Sequence, residues 1–232
     1  MFGVWDSFVP ADLPVVADSD WQSAYLGAAS SEIRIKIRVI VMALLKQDFF
    51  RRPTITVAQD LLGTKLLREY NGSILSGMIT ETEAYLGAGD SACHAARGRT
   101  PRNSVMFGPA GVAYVYFVYG MHFMLNIVTE QEETPCAVLI RAMKPLAGLA
   151  QMQDLRGKKG REVGNGPAKL CQAMAIDKSL NGWDITQGRV LWLESHLKLI
   201  PDSINSGPRI GIAYAARKDR DAPLRFWTTK GD

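Results

Sequence analysis

Cysteine is scarce in this 232-residue chain: Cys93, Cys136 and Cys171 lie far apart, in no paired spacing. An odd, scattered set argues against a disulfide framework and a zinc knuckle, and predicts three reduced thiols in a reducing compartment. Long apolar runs are also missing. The longest near the start, Val39 to Leu45, is seven residues flanked by Arg38 and Lys46, against the roughly 20 needed to span a bilayer. A signal peptide sets basic residues ahead of its apolar core, and here acidic residues come first, so the sequence predicts neither export nor a membrane anchor. There is no internal repeat, no low-complexity tract and, after residue 50, no linker.

What is present is an ordinary globular composition, 47% hydrophobic and 22% charged, long enough for one well-buried domain with an appendage. The net charge of +4 is unevenly placed. Residues 1–50 hold 4 basic and 6 acidic side chains, which leaves 23 basic against 17 acidic in the remainder, a balance of +6. That remainder suits a polyanionic partner.

Residues 1–47 read as an N-terminal extension, poorly ordered over residues 1–30 and ambiguous between strand and helix over residues 31–46. From residue 48 the signals sharpen. Thr54 or Thr56 is available to cap a helix over residues 57–62 that Gly63 ends. A strand over 65–68, a turn at Tyr70-Asn71-Gly72 and a strand from Ile74 follow, the last running straight into Glu81-Thr82-Glu83-Ala84-Tyr85. Residues 87–103 form a loop carrying His94, Arg97, Arg99 and Arg102; 136–142 are a buried strand; 145–162 look helical. Gly166 to Met174 starts a helix with Pro167 in its first turn, 190–193 are a strand, and Arg209 to Ile212 a basic tail strand.

Three constellations carry chemistry. Tyr114 to Asn126 reads as two strands meeting at Gly120. Tyr114 and Tyr116 share a face, and Tyr119 stands at the tip, where a bulky aromatic buries little of itself unless a partner comes to meet it. Glu81 and Glu83 share a strand face, which suits a solvated edge as well as a working base beside the aromatic Tyr85. The loop Arg97-Gly98-Arg99-Thr100-Pro101-Arg102-Asn103 presents guanidinium forks, which match phosphate oxygens.

Four collinear segments, Ile79 to Gly87, Arg99 to Asn103, Tyr114 to Asn126 and Gly166 to Ala173, resemble the alkyladenine (3-methyladenine) DNA glycosylase family, over roughly residues 48–230. The resemblance implies an α+β fold: a single mixed domain around a curved antiparallel sheet, formyltransferase C-terminal-domain-like. It implies a monomer that removes damaged purines from double-stranded DNA without metal or organic cofactor, in the cytoplasm of a bacterium or the nucleus of a eukaryote. By position, Glu83 corresponds to the family's catalytic carboxylate. Tyr85, His94 and Tyr116 match the base-pocket walls, and Asn126 the residue that screens purine substituents. Tyr119 matches the side chain that fills the gap left by a flipped nucleotide. Arg141 matches a supporting residue, and Arg99 and Arg102 lie in the loop expected near phosphates. Met124 stands where relatives often carry Cys, and His122 where vertebrate relatives carry Tyr. Two other classes share parts of the pattern: a non-catalytic binder of distorted DNA would need no Glu83, and a nucleotide- or RNA-binding module no wedge at Tyr119.

Overall fold

The computed structural model describes residues 43–160 and 162–229. The first 42 residues of the expected extension, and with them most of its ambiguous segment, lie outside the described residues. Ala43 to Leu45 hydrogen-bond to Leu193 and Ser195, so chain ahead of residue 48 is already laid along the sheet.

The architecture is α+β: a curled, eight-stranded, wholly antiparallel sheet with a few short helices. Its strands are β1 (Lys65–Tyr70), β2 (Ser73–Tyr85), β3 (Ala113–Val118), β4 (His122–Thr129), β5 (Cys136–Ala147), β6 (Leu191–Glu194), β7 (Asn205–Gly207) and β8 (Arg225–Trp227). The main order is β3-β4-β5-β2-β1-β6; β8 pairs with the far half of β2, and β7 pairs with β8. The helices are α1 (Gln47–Phe50), α2 (Thr54–Asp60), α3 (Leu149–Arg156), α4 (Pro167–Ala173) and α5 (Arg217–Arg220).

The 13-residue β2 is the axis of the sheet, and its phase changes midway. Leu75 and Ile79 point into the main core, but so does Ala84, which a strict two-residue alternation forbids. The ladder with β5 resolves this. Ile79 pairs with Met143 and Glu81 with Ala142, which leaves Thr80 as an extra residue on β2; Thr82 then pairs with Ile140, which leaves Arg141 as an extra residue on β5. These bulges rotate the strands so that Thr82 and Ala84 face the core while Glu81, Glu83 and Tyr85 turn away from it.

The core fills the side of the sheet covered by α2 and α4. Leu125 and Ile127 of β4, Ile140 of β5 and Leu170, Cys171 and Met174 of α4 and its end are fully or almost fully buried. All three cysteines are free and buried, and burial pushes the Cys136 and Cys171 thiols up to about 12. Among the described residues no helix is long and apolar enough to cross a membrane.

Three local expectations need correction. The helix predicted over 145–162 is only α3, because β5 runs on through Pro145 to Ala147. Gly148 (φ +77°) and Gly157 (φ +58°), both left-handed, bracket the helix. Neither Thr54 nor Thr56 caps α2. Helix α2 begins at Thr54, and Glu130, from the end of β4, accepts from both the Thr54 N–H and its hydroxyl. Arg209 to Ile212 is not a strand: Pro208 has no N–H to give a ladder and Gly211 sits at φ +82°, so residues 208–216 form a loop.

Candidate active site

The outward turn of β2 brings its carboxylates beside a cavity of about 370 Å³. Tyr85 lines one wall. Strands β3 and β4 contribute Tyr114, Tyr116, Met124 and Asn126, β5 contributes Arg141, and the turn after β2 contributes His94. The last wall is the 208–216 loop, through Ile210, Gly211, Ile212 and Tyr214. The aromatic rings lock one another: His94 meets Tyr116 edge-on with centroids 4.5 Å apart, and Tyr114 lies 5.3 Å from Tyr116. His94 Nδ1 shares a 2.9 Å hydrogen bond with the Tyr114 hydroxyl. Burial, assisted by the Arg102 cation, lowers the His94 pKa below its usual 6.5, which favours the neutral ring. Asn126 Nδ2 donates to the Tyr114 carbonyl at 3.2 Å, which fixes its amide against the cavity.

Glu83 stands one layer behind this surface, with no exposed area. Its Oε1 accepts from the Ile210 backbone N–H at 2.8 Å and lies 3.3 Å from Arg141 Nη1; its Oε2 accepts from the Tyr85 hydroxyl at 2.8 Å. The three residues that hold the carboxylate are therefore cavity-lining residues themselves. Burial raises the Glu83 pKa, against the Arg141 charge and the Ile210 and Tyr85 hydrogen bonds, which lower it. Glu81 is half-buried and takes Arg141 Nε at 3.1 Å and Arg225 Nη1 at 3.0 Å. Glu81 and Glu83 are thus tied into an ion-pair network and are not a solvated edge.

A sequence profile of the methylpurine-DNA glycosylase family matches residues 48–232. The chain belongs to the methylpurine-DNA glycosylase family. Curated relatives agree. A protein of Carboxydothermus hydrogenoformans, named "Putative 3-methyladenine DNA glycosylase", is 49% identical over 185 residues, 79% of this chain and 94% of that protein. One of the same name from Methanocella arvoryzae is 47% identical over 188 residues, covering 80% and 92% of the two chains. A third, from Clostridium perfringens, is 42% identical over 194 residues, covering 79% and 94%. The protein is a DNA glycosylase, a hydrolase of DNA repair.

In this glycosylase the arginine loop divides. Arg102 lines the cavity, lies over the Tyr116 ring at 5.5 Å and donates to the Phe117 carbonyl at 3.1 Å. Arg99 does not line it; it pairs with Glu133 at 2.6 Å and stacks on Phe107. Tyr119 stands at the cavity mouth, 80% exposed, in the left-handed region at φ +54°. The structure thus gathers Glu83, Tyr85, His94, Tyr116, Tyr119, Asn126, Arg102 and Arg141 in one place and leaves Arg99 aside. Among the described residues no cluster of three or more His, Cys, Asp or Glu is placed to hold a metal ion.

Sequence reasoning missed several contributors. Asn103 is buried and ties the loop together: its Oδ1 accepts from the Thr100 N–H at 2.6 Å, and its Nδ2 donates to the His94 and Gly98 carbonyls at 2.9 and 3.0 Å. Its place in Arg-Thr-Pro-Arg-Asn was the available signal. Tyr114 could have been found from the face it shares with Tyr116. The Ile210 N–H and the buried Arg209–Asp90 pair carried no local signal.

Proposed function

We propose that this enzyme is a monofunctional purine DNA glycosylase. It turns 3-methyladenine, 7-methylguanine or hypoxanthine out of duplex DNA and hydrolyses the N-glycosidic bond with an activated water, leaving an abasic site. The observation that carries the reading is the pairing of a dry, three-point-held carboxylate, Glu83, with an aromatic cavity directly in front of it. With the activity goes the formyltransferase C-terminal-domain-like fold that the family resemblance implies.

The chemistry follows from the placement. A base inside a stack is out of reach, and a damaged or mispaired one costs least to extrude. Tyr119, already exposed and projecting from its turn, enters the vacancy. Tyr85 and Tyr116 offer ring faces to the extruded purine, and a cationic methylated base gains further from them. Asn126, its amide fixed by the Tyr114 carbonyl, discriminates among purine edges. Arg102 and, farther out, Arg99 face the phosphates. When the wall of Tyr85, Arg141 and Ile210 parts to admit a water, Glu83 Oε2 accepts its proton on the lone pair not used by Tyr85, and the carboxylate stabilises positive charge growing on the sugar. Arg141 and the Ile210 N–H hold the other oxygen and favour its ionised form against the burial that opposes it. A methylated purine leaves as a neutral base and needs no acid; hypoxanthine, neutral when bound, leaves with the bond pair as an anion and takes its proton from water. Among the described residues no lysine lines the cavity, which favours hydrolysis over an amine-linked intermediate and strand cleavage.

The test is Glu83→Gln, assayed on duplexes carrying 7-methylguanine or hypoxanthine and scored for abasic sites. Excision should fall by about a thousandfold while binding to the damaged duplex is retained. Undiminished excision would remove Glu83 from the mechanism. Tight binding without excision by the unaltered chain would favour a non-catalytic damage binder.

A further inference from the structure

Tyr85 separates the cavity from a buried cation. Arg209, which has no surface on the cavity and no exposed side-chain area, lies over the Tyr85 ring with its guanidinium carbon 4.7 Å from the centroid. Asp90 holds that guanidinium with both oxygens, Oδ2 on Nη1 and Oδ1 on Nη2. The second hydrogens of Nη1 and Nη2 reach the Ala84 carbonyl at 2.9 Å and the Asp219 carbonyl at 3.1 Å, while Nε is buried with no hydrogen-bond partner. Asp90 in turn accepts from the Leu86 and Ala92 N–H groups. The charges behind the cavity wall are balanced: the carboxylates of Glu81, Glu83 and Asp90 face the guanidiniums of Arg141, Arg209 and Arg225. Arg102, the further cation at the cavity, is exposed and screened by solvent.

A purine stacked on the cavity face of Tyr85 would lie one ring thickness farther out, about 7–8 Å from Arg209, in a place with little water. A base that is neutral when bound and gathers negative charge as it leaves is not repelled by that cation. A methylated, positively charged base is repelled by it unless Asp90 cancels the charge. We propose that the Asp90–Arg209 pair sets the enzyme's preference between cationic and neutral purines. Asp90 neutralises the guanidinium beneath Tyr85 and so keeps the stacking face open to alkylated bases. The inference rests on the purine-excision reading above and adds a specificity determinant to it. Both residues are positioning groups, since neither touches the base.

The experiment compares single-turnover excision of 7-methylguanine, a cation, with that of hypoxanthine, a neutral base, from otherwise identical duplexes. Asp90→Asn loosens the loop and lowers both rates, but the ratio of 7-methylguanine to hypoxanthine excision should fall by about tenfold, because only the cation meets the exposed charge. The double variant D90N/R209Q, which removes both charges, should restore the ratio. Arg209→Gln alone leaves an uncompensated carboxylate and should raise the ratio; should D90N fail to fold, this opposite shift still decides. Rates that fall together with an unmoved ratio in D90N and R209Q would make the pair merely structural and overturn the inference. An unaltered chain that excises neither base would overturn the purine-excision reading itself and the inference with it.

Discussion

Glu83 must be ionised to act as a base, yet it sits where ionisation is costly. Burial raises its pKa above the usual 4.5, and the Arg141 charge and the Ile210 and Tyr85 hydrogen bonds recover only part of that cost. The excision rate should therefore fall on the acid side with an apparent pKa above 4.5, as a pH–rate profile on 7-methylguanine would report. The same shift acts on stability with a definite sign. The folded chain holds this proton to higher pH than the unfolded chain, so the Glu83 contribution to stability is full below 4.5 and shrinks as pH rises through the folded pKa. Melting temperatures of the unaltered chain and Glu83→Gln, measured from pH 4 to 7, should diverge in that window, with the glutamine variant gaining relative stability. Asn103 has the opposite character, a buried amide with its partners in place. Asn103→Ala strands two carbonyls and an N–H, and should lower the unfolding free energy by about 1–3 kcal/mol in a denaturant titration.

The hairpin of β3 and β4 shows how an element divides its residues between packing and work. Tyr114 is buried and Tyr116 half-buried against the cavity, while Tyr119 and Gly120, at φ +54° and +68°, make the turn, and the Met121 N–H returns to the Val118 carbonyl. A left-handed tyrosine is strained by roughly 1–2 kcal/mol, and its exposed ring recovers little of this by burial. Asparagine tolerates that conformation better. Tyr119→Asn should therefore raise the unfolding free energy by about 0.5–1 kcal/mol. It should also weaken binding to lesion-containing duplex by about tenfold, since base–aromatic stacking is lost. Stability that falls in step with binding would mean the tyrosine is structural. Strand β2 makes a related division: its bulge at Thr80 and the matching one at Arg141 turn a core-facing strand outward where the carboxylates are needed.

For the whole molecule, the site is supported by a core it does not share. Leu125 is fully buried on β4, one residue before Asn126, and points to the α4 side. Leu125→Ala should cost about 2–5 kcal/mol of stability, read as a lower urea midpoint with unchanged slope. Much of the architecture was legible beforehand. Alternation and turn residues marked β1, β2 and the β3–β4 hairpin, Pro167 marked the start of α4, and the two-residue spacing of Glu81, Glu83 and Tyr85 put them on one face, because these signals live in neighbouring residues. The collinear motifs pointed to the family. What the sequence could not decide lies in contacts between distant segments. Glu130 caps α2 from 76 residues away, Arg209 meets Asp90 across 119, and the Ile210 N–H reaches Glu83 across 127. No local pattern encodes such pairings. They exist only once the sheet has curled and the 208–216 loop has closed over it, because a buried charge or N–H finds its partner by place in space and not by place along the chain.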